Sequence, residues 1–371
     1  MKVAIITDTH CGSGNDNKFL NEYFISFYEN QLFPYLLEHN IKIVLHLGDT
    51  FDRRKYVNFN TLNSWRSRVF SKLNDICDRV DILIGNHDTY YKETNSINSV
   101  VELLSGYKNF YIYENCREVF LESLKVLYVP WICPENEEQT LKYISESKAK
   151  VCMGHLEIGG FEMYAGRLSE GGMSADTFDK FYMTLSGHYH QKSSKGGIHY
   201  LGAPYPMMWG DYGCPRGFHV LDTDTLELTF IQNQVEMFHK LYYDDSKVEY
   251  IETALTVDYS HLKDKFVKLI VECKTDPYFF EKVLECIQSC NPADISLVES
   301  YIDGTQLSSL EIDQTKDTLT ILNECADLIN LPTNELCDTT KAEKYRSDLK
   351  DKLRIAYIEA LNHNEHIQSK S

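Results

Sequence analysis

An α/β fold is the class that this sequence predicts, because short apolar runs alternate with helical patterns. Runs over 3–8, 43–49 and 80–86 are typical of buried strands. The stretches between them carry apolar residues at helical spacing, at positions 20, 24, 27 and 28 and at positions 62, 65, 69 and 73. This strand–helix–strand order implies a sheet covered by helices. Further strands are predicted over 124–130, 150–156, 181–189, 198–203, 217–222 and 226–232.

The composition predicts a packed protein of the cytoplasm. The chain has 371 residues, of which 43% are hydrophobic, enough for two or three domains. No apolar run approaches the roughly 18–20 residues that span a bilayer, and Asp8 comes too early for a signal peptide. Eleven cysteines without a Cys-x-x-Cys pair are typical of reduced thiols. We therefore expect a cytoplasmic protein with no membrane partner.

The charge balance argues against a passive binder of polyanions. The net charge is −18, whereas contacts to phosphates need local positive charge. Bound divalent ions would weaken this objection by cancelling carboxylates. The stretch 49–72 weakens it further, because six basic residues face two acidic ones there, which leaves +4 in an acidic protein.

The sequence divides into three parts. Residues 1–238 hold the alternating strands and helices. Residues 239–302 hold a small β-α-β pattern, with strands predicted over 266–273 and 295–301 and a helix over 277–289. Residues 303–371 start with an acidic, linker-like stretch and end in a helix predicted over 340–362. One stripe of that helix carries Tyr345, Leu349, Leu353 and Ala356.

Five short strings of metal-binding residue types follow predicted strands. They are Asp8-Thr9-His10, Gly48-Asp49-Thr50-Phe51-Asp52-Arg53, Gly85-Asn86-His87-Asp88, Gly154-His155 and Gly187-His188-Tyr189-His190. Open α/β sheets place their ligands at the carboxyl ends of strands, so these five ends predict one shared cleft.

The residue types fit the hydrolysis of a phosphodiester. That reaction needs a hydroxide, which two divalent ions about 3.5–4 Å apart can supply while they neutralise phosphoryl charge. Asp49 is the expected bridging carboxylate, and imidazoles with an amide oxygen keep the charge of the site low enough for an anionic substrate. We expect the glycines before Asp49, Asn86, His155 and His188 to allow tight turns.

In this order, the five strings resemble the calcineurin-like metallophosphoesterase superfamily. The chain is similar in particular to the SbcD, or meiotic-recombination-eleven, nucleases and most of all to their T-even-phage-type members. The strings that carry this narrower resemblance are 48–55, 85–92, 129–131, 200–204 and 215–218. The resemblance implies a four-layer α-β-β-α sandwich, a small α/β capping domain over 239–302 and C-terminal helices.

The resemblance also implies roles for the residues of the strings. Asp8, His10, Asp49 and His190 would hold one metal, and Asp49, Asn86, His155 and His188 would hold the other. Mn²⁺ is the implied ion, with Mg²⁺ as the alternative. His87 would contact the scissile phosphate and protonate the leaving oxygen, and Asp88 would orient His87 by hydrogen bonding. The other histidines are assigned no role.

The implied activity is 3′-to-5′ exonuclease action on duplex DNA with endonuclease action on single strands. Asp52 is a departure, since some family members carry a second phosphate-contacting His there. The run Arg53, Arg54 and Lys55 is interpreted as a contact to the DNA backbone or as a solvated face, and an Asp52–Arg53 ion pair is the local alternative.

Two partners follow from the same resemblance. The family dimerises through helices near Trp65 and near 96–104, although Trp65 fits a core position equally well. A C-terminal helical segment of the family binds an ABC-type, SMC-like ATPase of the SbcC or Rad-fifty type. The stripe from Tyr345 to Ala356 fits that role, and internal packing is the alternative.

Two competing functions remain open at this point. One is a metallophosphatase or phosphodiesterase that acts on a small or protein substrate with the same metals. Arg54 and Asp88 stand where serine/threonine phosphatases typically have Gly and Glu, which favours the nuclease. The other is a scaffold that tethers DNA ends without catalysis, and the intact set of ligand types argues against it.

Overall fold

The chain divides into two compact units in the computed structural model. The structure describes residues 1–164, 167–169 and 171–299, together with residues 326, 346–347, 349–350 and 352. The first unit comprises Met1–His239, Leu262–Phe266 and Asn291–Asp294. The second comprises Lys240–His261, Val267–Cys290 and the described residues from Ile295 onward.

The described elements are short and close together in the sequence. The strands are β1 (Lys2–Ile6), β2 (Ile43–His46), β3 (Arg79–Leu83), β4 (Phe110–Tyr113), β5 (Arg117–Leu121), β6 (Leu124–Val129), β7 (Val151–His155), β8 (Glu162–Tyr164), β9 (Arg167–Leu168), β10 (Met183–Gly187), β11 (Ser193–Lys195), β12 (Ile198–Tyr200), β13 (Gly217–Asp222), β14 (Leu228–Gln232), β15 (Phe238–Asp244), β16 (Phe266–Cys273) and β17 (Asp294–Glu299). The helices are α1 (Ser13–Asp16), α2 (Lys18–Phe27), α3 (Phe33–Glu38), α4 (Phe59–Trp65), α5 (Ser71–Ile76), α6 (Ser99–Leu104), α7 (Glu137–Glu146), α8 (Val248–Ala254) and α9 (Pro277–Ser289). Single π-helical turns, Tyr28–Leu32 and Arg66–Phe70, continue α2 into α3 and α4 into α5.

Two six-stranded sheets form the centre of the first unit. One has the order β14-β13-β1-β2-β3-β4 and the other the order β11-β12-β10-β7-β6-β5. Strands β1 to β4 run parallel, as do β12, β10, β7 and β6, and antiparallel strands lie at the sheet edges. The inner faces pack through Val3, Ile5 and Leu45 on one sheet and Tyr128 and Met153 on the other.

Helices cover the outer faces and complete four layers. Phe24 and Phe27 of α2 pack on the first sheet together with Trp65 of α4, and Ile144 of α7 packs on the second sheet. Burying each such side chain contributes about 1.5–3 kcal/mol before ordering costs. The predicted α-β-β-α sandwich is therefore confirmed.

Trp65 belongs to this core. Its side chain is 0% exposed, and Nε1 donates to Oδ1 of Asn21 at 2.9 Å. The core alternative for this residue is therefore correct, and the indole is not available to a second copy of the chain.

The second unit is built around a three-stranded sheet of order β15-β16-β17. Helix α9 packs there through Phe280, Val283 and Ile287, which are all buried. The helix begins with Asp276, whose carboxylate accepts from the backbone N–H groups of Tyr278 and Phe279. The bounds of β16 and α9 match the predicted 266–273 and 277–289.

The predicted C-terminal helix is described at five positions, 346, 347, 349, 350 and 352, and all five are helical. Leu349 is half-buried, whereas Tyr345, Leu353 and Ala356 lie outside the described residues. Within the described chain, no helix combines the length and apolarity that crossing a bilayer demands.

Replacing Tyr205 by Phe should destabilise the first unit by about 1–2 kcal/mol. The Tyr205 side chain is fully buried, its ring stacks on Phe24 at 4.0 Å, and its hydroxyl donates to the Thr9 carbonyl at 2.6 Å. The substitution keeps the ring and removes only the donor to a buried carbonyl. Urea unfolding measures the change. Tyr182→Phe is the control, because Tyr182 is 63% exposed. Equal unfolding midpoints for the two variants would contradict the prediction.

Candidate metal centre

The five sequence strings meet at one edge of the paired sheets. Asp8, Asp49 and Asn86 follow the parallel neighbours β1, β2 and β3, while His155 ends β7 and His188 follows β10. Backbone hydrogen bonds join the first two loops, since the Asp8 N–H donates to the Gly48 carbonyl at 3.0 Å. The carboxyl ends of these strands therefore bring together side chains that are up to 180 positions apart.

The first group of side chains surrounds His10. Asp8, His10 and His190 each offer a ligand atom, and these atoms all lie within 4.8 Å of one another. Nε2 of His10 is 3.0 Å from Nε2 of His190 and 3.6 Å from Oδ2 of Asp49. Two imidazole nitrogens this close need a proton or a cation between them.

The second group surrounds the Asn86 amide oxygen. Oδ1 of Asn86 lies 2.9 Å from Nε2 of His155 and 2.9 Å from Nδ1 of His188. Oδ1 of Asp49 is 3.4 Å from Nε2 of His155. Because its other oxygen faces His10, the Asp49 carboxylate lies between the two groups, where a bridging ligand belongs.

The donor sets fit two hard or borderline divalent ions. Carboxylate, amide and imidazole donors suit manganese, magnesium and iron. Ligands bound at right angles around an ion about 2.1 Å away are about 3 Å apart. The spacings of 2.9 to 3.6 Å in both groups agree with that value. The seven predicted ligands, of which Asp49 is assigned to both ions, thus lie close enough together to share two ions.

The electrostatics of the cluster favours bound positive charge. Burial lowers the pKa of His188 to about 3 and holds that of His190 well below its usual range, so both imidazoles keep a free lone pair. Burial opposes a charge on His155 as well, but the Asp49 and Asp8 carboxylates raise its pKa to about 9. The carboxylates therefore attract a cation to this place.

Several candidate ligands adopt left-handed backbone conformations. Asp8, His10, Asp49 and His188 have φ values of 51°, 43°, 55° and 88°. Each such residue costs about 1–3 kcal/mol and persists only where its surroundings hold it. The His188 N–H donates to both Asp8 carboxylate oxygens, at 3.0 and 3.2 Å, which links the first and last loops.

The glycines act mainly through close approach, which corrects the expectation of tight turns. Gly48 does have a φ of 95°, but Gly85 and Gly187 do not have positive φ. A Cβ on Gly85 would lie 2.2 Å from the Asp49 nitrogen, and one on Gly187 would lie 2.0 Å from Oγ1 of Thr7. These two glycines let neighbouring loops touch.

The orientation of His87 differs from the predicted one. Nδ1 of His87 lies 2.6 Å from the Asp52 carbonyl oxygen, and its backbone N–H donates to Oδ1 of Asp49 at 2.8 Å. The Asp88 carboxylate accepts instead from backbone N–H groups of Gly85, Phe51 and Thr50, at 2.9, 3.0 and 3.3 Å. The prediction that Asp88 hydrogen-bonds His87 is therefore wrong, because the buried backbone donors take up its oxygens.

Asp88 joins the two loops that carry Asp49 and Asn86. Its side chain is fully buried, and burial together with the Asp49 charge raises its pKa to about 7 against the three backbone donors. Asp88 is therefore a positioning residue. Asp52 makes two other contacts: its carbonyl oxygen orients His87, and its Oδ1 lies 3.4 Å from Nδ1 of His10.

The basic run has three different environments. Arg53 donates hydrogen bonds to Asp16 at 2.8 Å and to Asn15 at 2.7 Å. Arg53 therefore forms a local ion pair, but with Asp16 and not with Asp52. Arg54 donates to Oγ1 of Thr89 at 3.0 Å. Lys55 is exposed, with Nζ 5.9 Å from the centre of the Tyr90 ring.

Sequence reasoning missed two supporting groups. Oγ1 of Thr9, between two candidate ligands, lies 2.8 Å from Nε2 of the buried His46. Arg216 donates to the His190 carbonyl and pairs with the buried Asp211 at 2.5 Å. The Pro215-Arg216-Gly217 string could have indicated the role of Arg216. A single His within a strand, such as His46, gives no such signal in the sequence.

Asp88→Asn should weaken Mn²⁺ binding about tenfold, because the amide cannot accept from all three backbone donors and the loops of Asp49 and Asn86 separate. Calorimetric titration with Mn²⁺ measures this effect. Asp75→Asn is the matched control, since Asp75 is exposed. Unchanged affinity in a folded Asp88→Asn variant would remove the positioning role.

The chain matches a known family and a known phage protein. The calcineurin-like phosphoesterase family matches residues 1–192, just over half of the chain and the span that holds every candidate ligand. Exonuclease subunit 1 of Enterobacteria phage T4 is 28% identical over 314 residues, which cover 84% of this chain and 90% of the phage protein. An archaeal phosphodiesterase structure aligns with a TM-score of 0.30 and 14% identity over 62% of this chain and 99% of that one. This chain belongs to the calcineurin-like phosphoesterase family of metal-dependent enzymes.

Proposed function

We propose that this chain is the nuclease subunit of a DNA recombination and double-strand-break repair complex. It removes nucleotides from duplex DNA in the 3′-to-5′ direction and cuts single strands internally. The observation that carries the proposal is the Asp49 carboxylate between two groups of ligand side chains. Similarity to a phage exonuclease subunit along 84% of the chain supports DNA as the substrate.

The substrate phosphate enters a cleft above these side chains. This cleft has a volume of about 290 Å³ and is lined by His10, Asp49, Asn86, His87 and His188, among others. Its size suits one phosphodiester with its neighbouring sugars better than a packed duplex.

Two divalent ions are held by the residues of the two groups. Asp8, His10, Asp49 and His190 hold the first, and Asp49, Asn86, His155 and His188 hold the second. Mn²⁺ is the proposed ion, with Mg²⁺ as the alternative. The ions would supply hydroxide near neutral pH and neutralise phosphoryl oxygens. Among the proposed ligands only Asp8 and Asp49 are carboxylates, so two negative charges would stand against four on the ions and the ligand shell would attract an anion despite the chain's −18.

His87 is the proposed catalytic residue. The Asp52 carbonyl lies 2.6 Å from Nδ1, so that Nε2 is the ring nitrogen left for the substrate. His87 lines the cleft, where it donates a proton to the leaving 3′ oxygen. Asp88 contributes to the reaction only through the loops that it joins.

The DNA strand continues along the basic run beside the cleft. Arg54 and Lys55 contact the backbone, while Arg53 contributes by fixing the loop through Asp16. Tyr56 and Tyr91, 63% and 51% exposed, offer faces on which bases stack.

The remaining parts are proposed to serve access and assembly. Residues 239–302 act as a capping domain, and the nuclease domains form a homodimer. The stripe of Tyr345, Leu349, Leu353 and Ala356 binds an ABC-type, SMC-like ATPase in the cytoplasm of the host cell. The word subunit in the phage relative's name supports a partner.

With Mn²⁺, the purified chain should release mononucleotides from the 3′ ends of duplex DNA and release little phosphate from p-nitrophenyl phosphate. EDTA should abolish both, because the reaction needs bound ions. Dominant phosphate release with intact DNA would favour the metallophosphatase, and the absence of both would favour the scaffold.

The control variant in that assay is His87→Ala. We expect it to bind two Mn²⁺ ions as the unchanged chain does and to cleave about 10²–10⁴-fold more slowly, the usual contribution of a general acid. Loss of bound Mn²⁺ would mean that His87 is a ligand.

Replacing Leu349 and Leu353 together by Asp in the full chain should abolish co-purification with the ATPase and leave DNA cleavage unchanged. Charges on the apolar stripe are costly to bury in an interface. Ser347→Asp with Lys352→Asp is the matched control, since both positions are exposed. Undiminished ATPase binding by the leucine variant would refute the partner role of the stripe.

A further inference from the structure

A second cavity adjoins the metal centre. Its volume is about 440 Å³, and His155 of the second ligand group forms part of its wall. The apolar part of the wall comes from Trp131, Ile132, Leu141 and Met173, and the polar part includes Glu137 and Glu157. None of the proposed reaction steps uses this cavity.

The Trp131 ring borders both the cavity and the metal centre. Its centre is 5.2 Å from that of the His188 ring and 6.0 Å from that of the His155 ring. The side chain is half-buried, so it is not a pure core residue. An aromatic ring beside a phosphate site can stack on the base of the bound nucleotide.

The loop that carries Trp131 is held in place by its own hydrogen bonds. The Trp131 N–H donates to the Ile84 carbonyl at 2.8 Å, and its carbonyl accepts from the amides of Asn95 and Asn136 at 2.8 and 3.1 Å. A preordered loop lowers the entropy cost of presenting the ring to a flat partner.

The charges of the wall select against phosphate. Glu137 and Glu157 are acidic, and no lysine or arginine is among the described residues that line the cavity. Carboxylates accept hydrogen bonds from the amino groups of nucleobases, such as N4 of cytosine. The cavity is therefore suited to a neutral, flat group with N–H donors, while the adjacent ions would take the negative phosphate.

We propose that this cavity is a nucleobase subsite, in which Trp131 stacks on the base of a nucleotide whose phosphate lies at the metal centre. The inference rests on the proposed nuclease function for its substrate. The cavity, at about 440 Å³, has room for one base. A base that stacks on Trp131 cannot also stack in a duplex, so its nucleotide must leave the duplex stack, as in enzymes that flip bases, and unpaired 3′ ends and single strands are the preferred substrates.

Equilibrium binding tests the subsite without turnover. In the full-length His87→Ala chain with Mn²⁺, fluorescence anisotropy gives the Kd of a labelled oligo-deoxycytidine and of versions with one abasic unit moved along the strand. We expect one abasic position to raise the Kd about 5- to 150-fold, the usual contribution of one stacked base. When Trp131→Leu is added to the His87→Ala chain, we expect the intact and the abasic oligonucleotides all to bind with the same Kd.

Leu141→Trp serves as a second variant in case Trp131→Leu fails to fold. Leu141 is 39% exposed, so a larger ring there fills the cavity without removing Trp131. It should also erase the difference between intact and abasic strands. Calorimetry should give unchanged Mn²⁺ affinity for the Leu141→Trp variant, because Leu141 is not a proposed ligand.

The outcomes separate the two ideas. Kd values that do not depend on the abasic position overturn the proposed subsite, even if the unsubstituted chain cleaves DNA. A position-dependent Kd that both cavity variants abolish supports the subsite, even if no cleavage occurs and the nuclease function fails. A position-dependent Kd that persists in both cavity variants places the base elsewhere and overturns the proposal.

Discussion

The buried Asp49 carboxylate is the group on which the rest of the centre depends. One oxygen faces His10 while the other faces His155 and accepts from the His87 N–H. A buried charge is costly unless it is compensated. Imidazoles on both sides provide part of the compensation, and two divalent ions would complete it. The surrounding loops are therefore arranged around a single side chain that must remain ionised in the interior.

The two sheets make this arrangement stable. Parallel strands direct their loops to one edge, and the packed core between the sheets fixes how far those loops can move. The left-handed conformations of Asp8, Asp49 and His188 are unfavourable one by one. They persist because cross-loop hydrogen bonds hold them, among them those from the His188 N–H to Asp8 and from backbone donors to Asp88.

The charge distribution is compatible with the proposed action of an acidic chain on a polyanion. Positive charge is needed only where a phosphate is bound, and the ions would supply it there. The neighbouring cavity carries Glu137 and Glu157 and would repel phosphate while accepting a base. Under the proposed function, adjacent sites of opposite character would therefore set the register of a nucleotide, with its phosphate on one side of Trp131 and its base on the other.

The sequence by itself determined the fold class, the main strands and the set of candidate ligand types, because strand periodicity and short strings at strand ends are local features. Tertiary structure decided what the strings contact. Asp88 binds backbone of the neighbouring loop, Arg53 pairs with Asp16, and Arg216 holds His190. Gly85 and Gly187 proved to be places of close approach. Each of these depends on segments far apart in the chain, whose meeting follows from sheet order and packing, which no local pattern encodes.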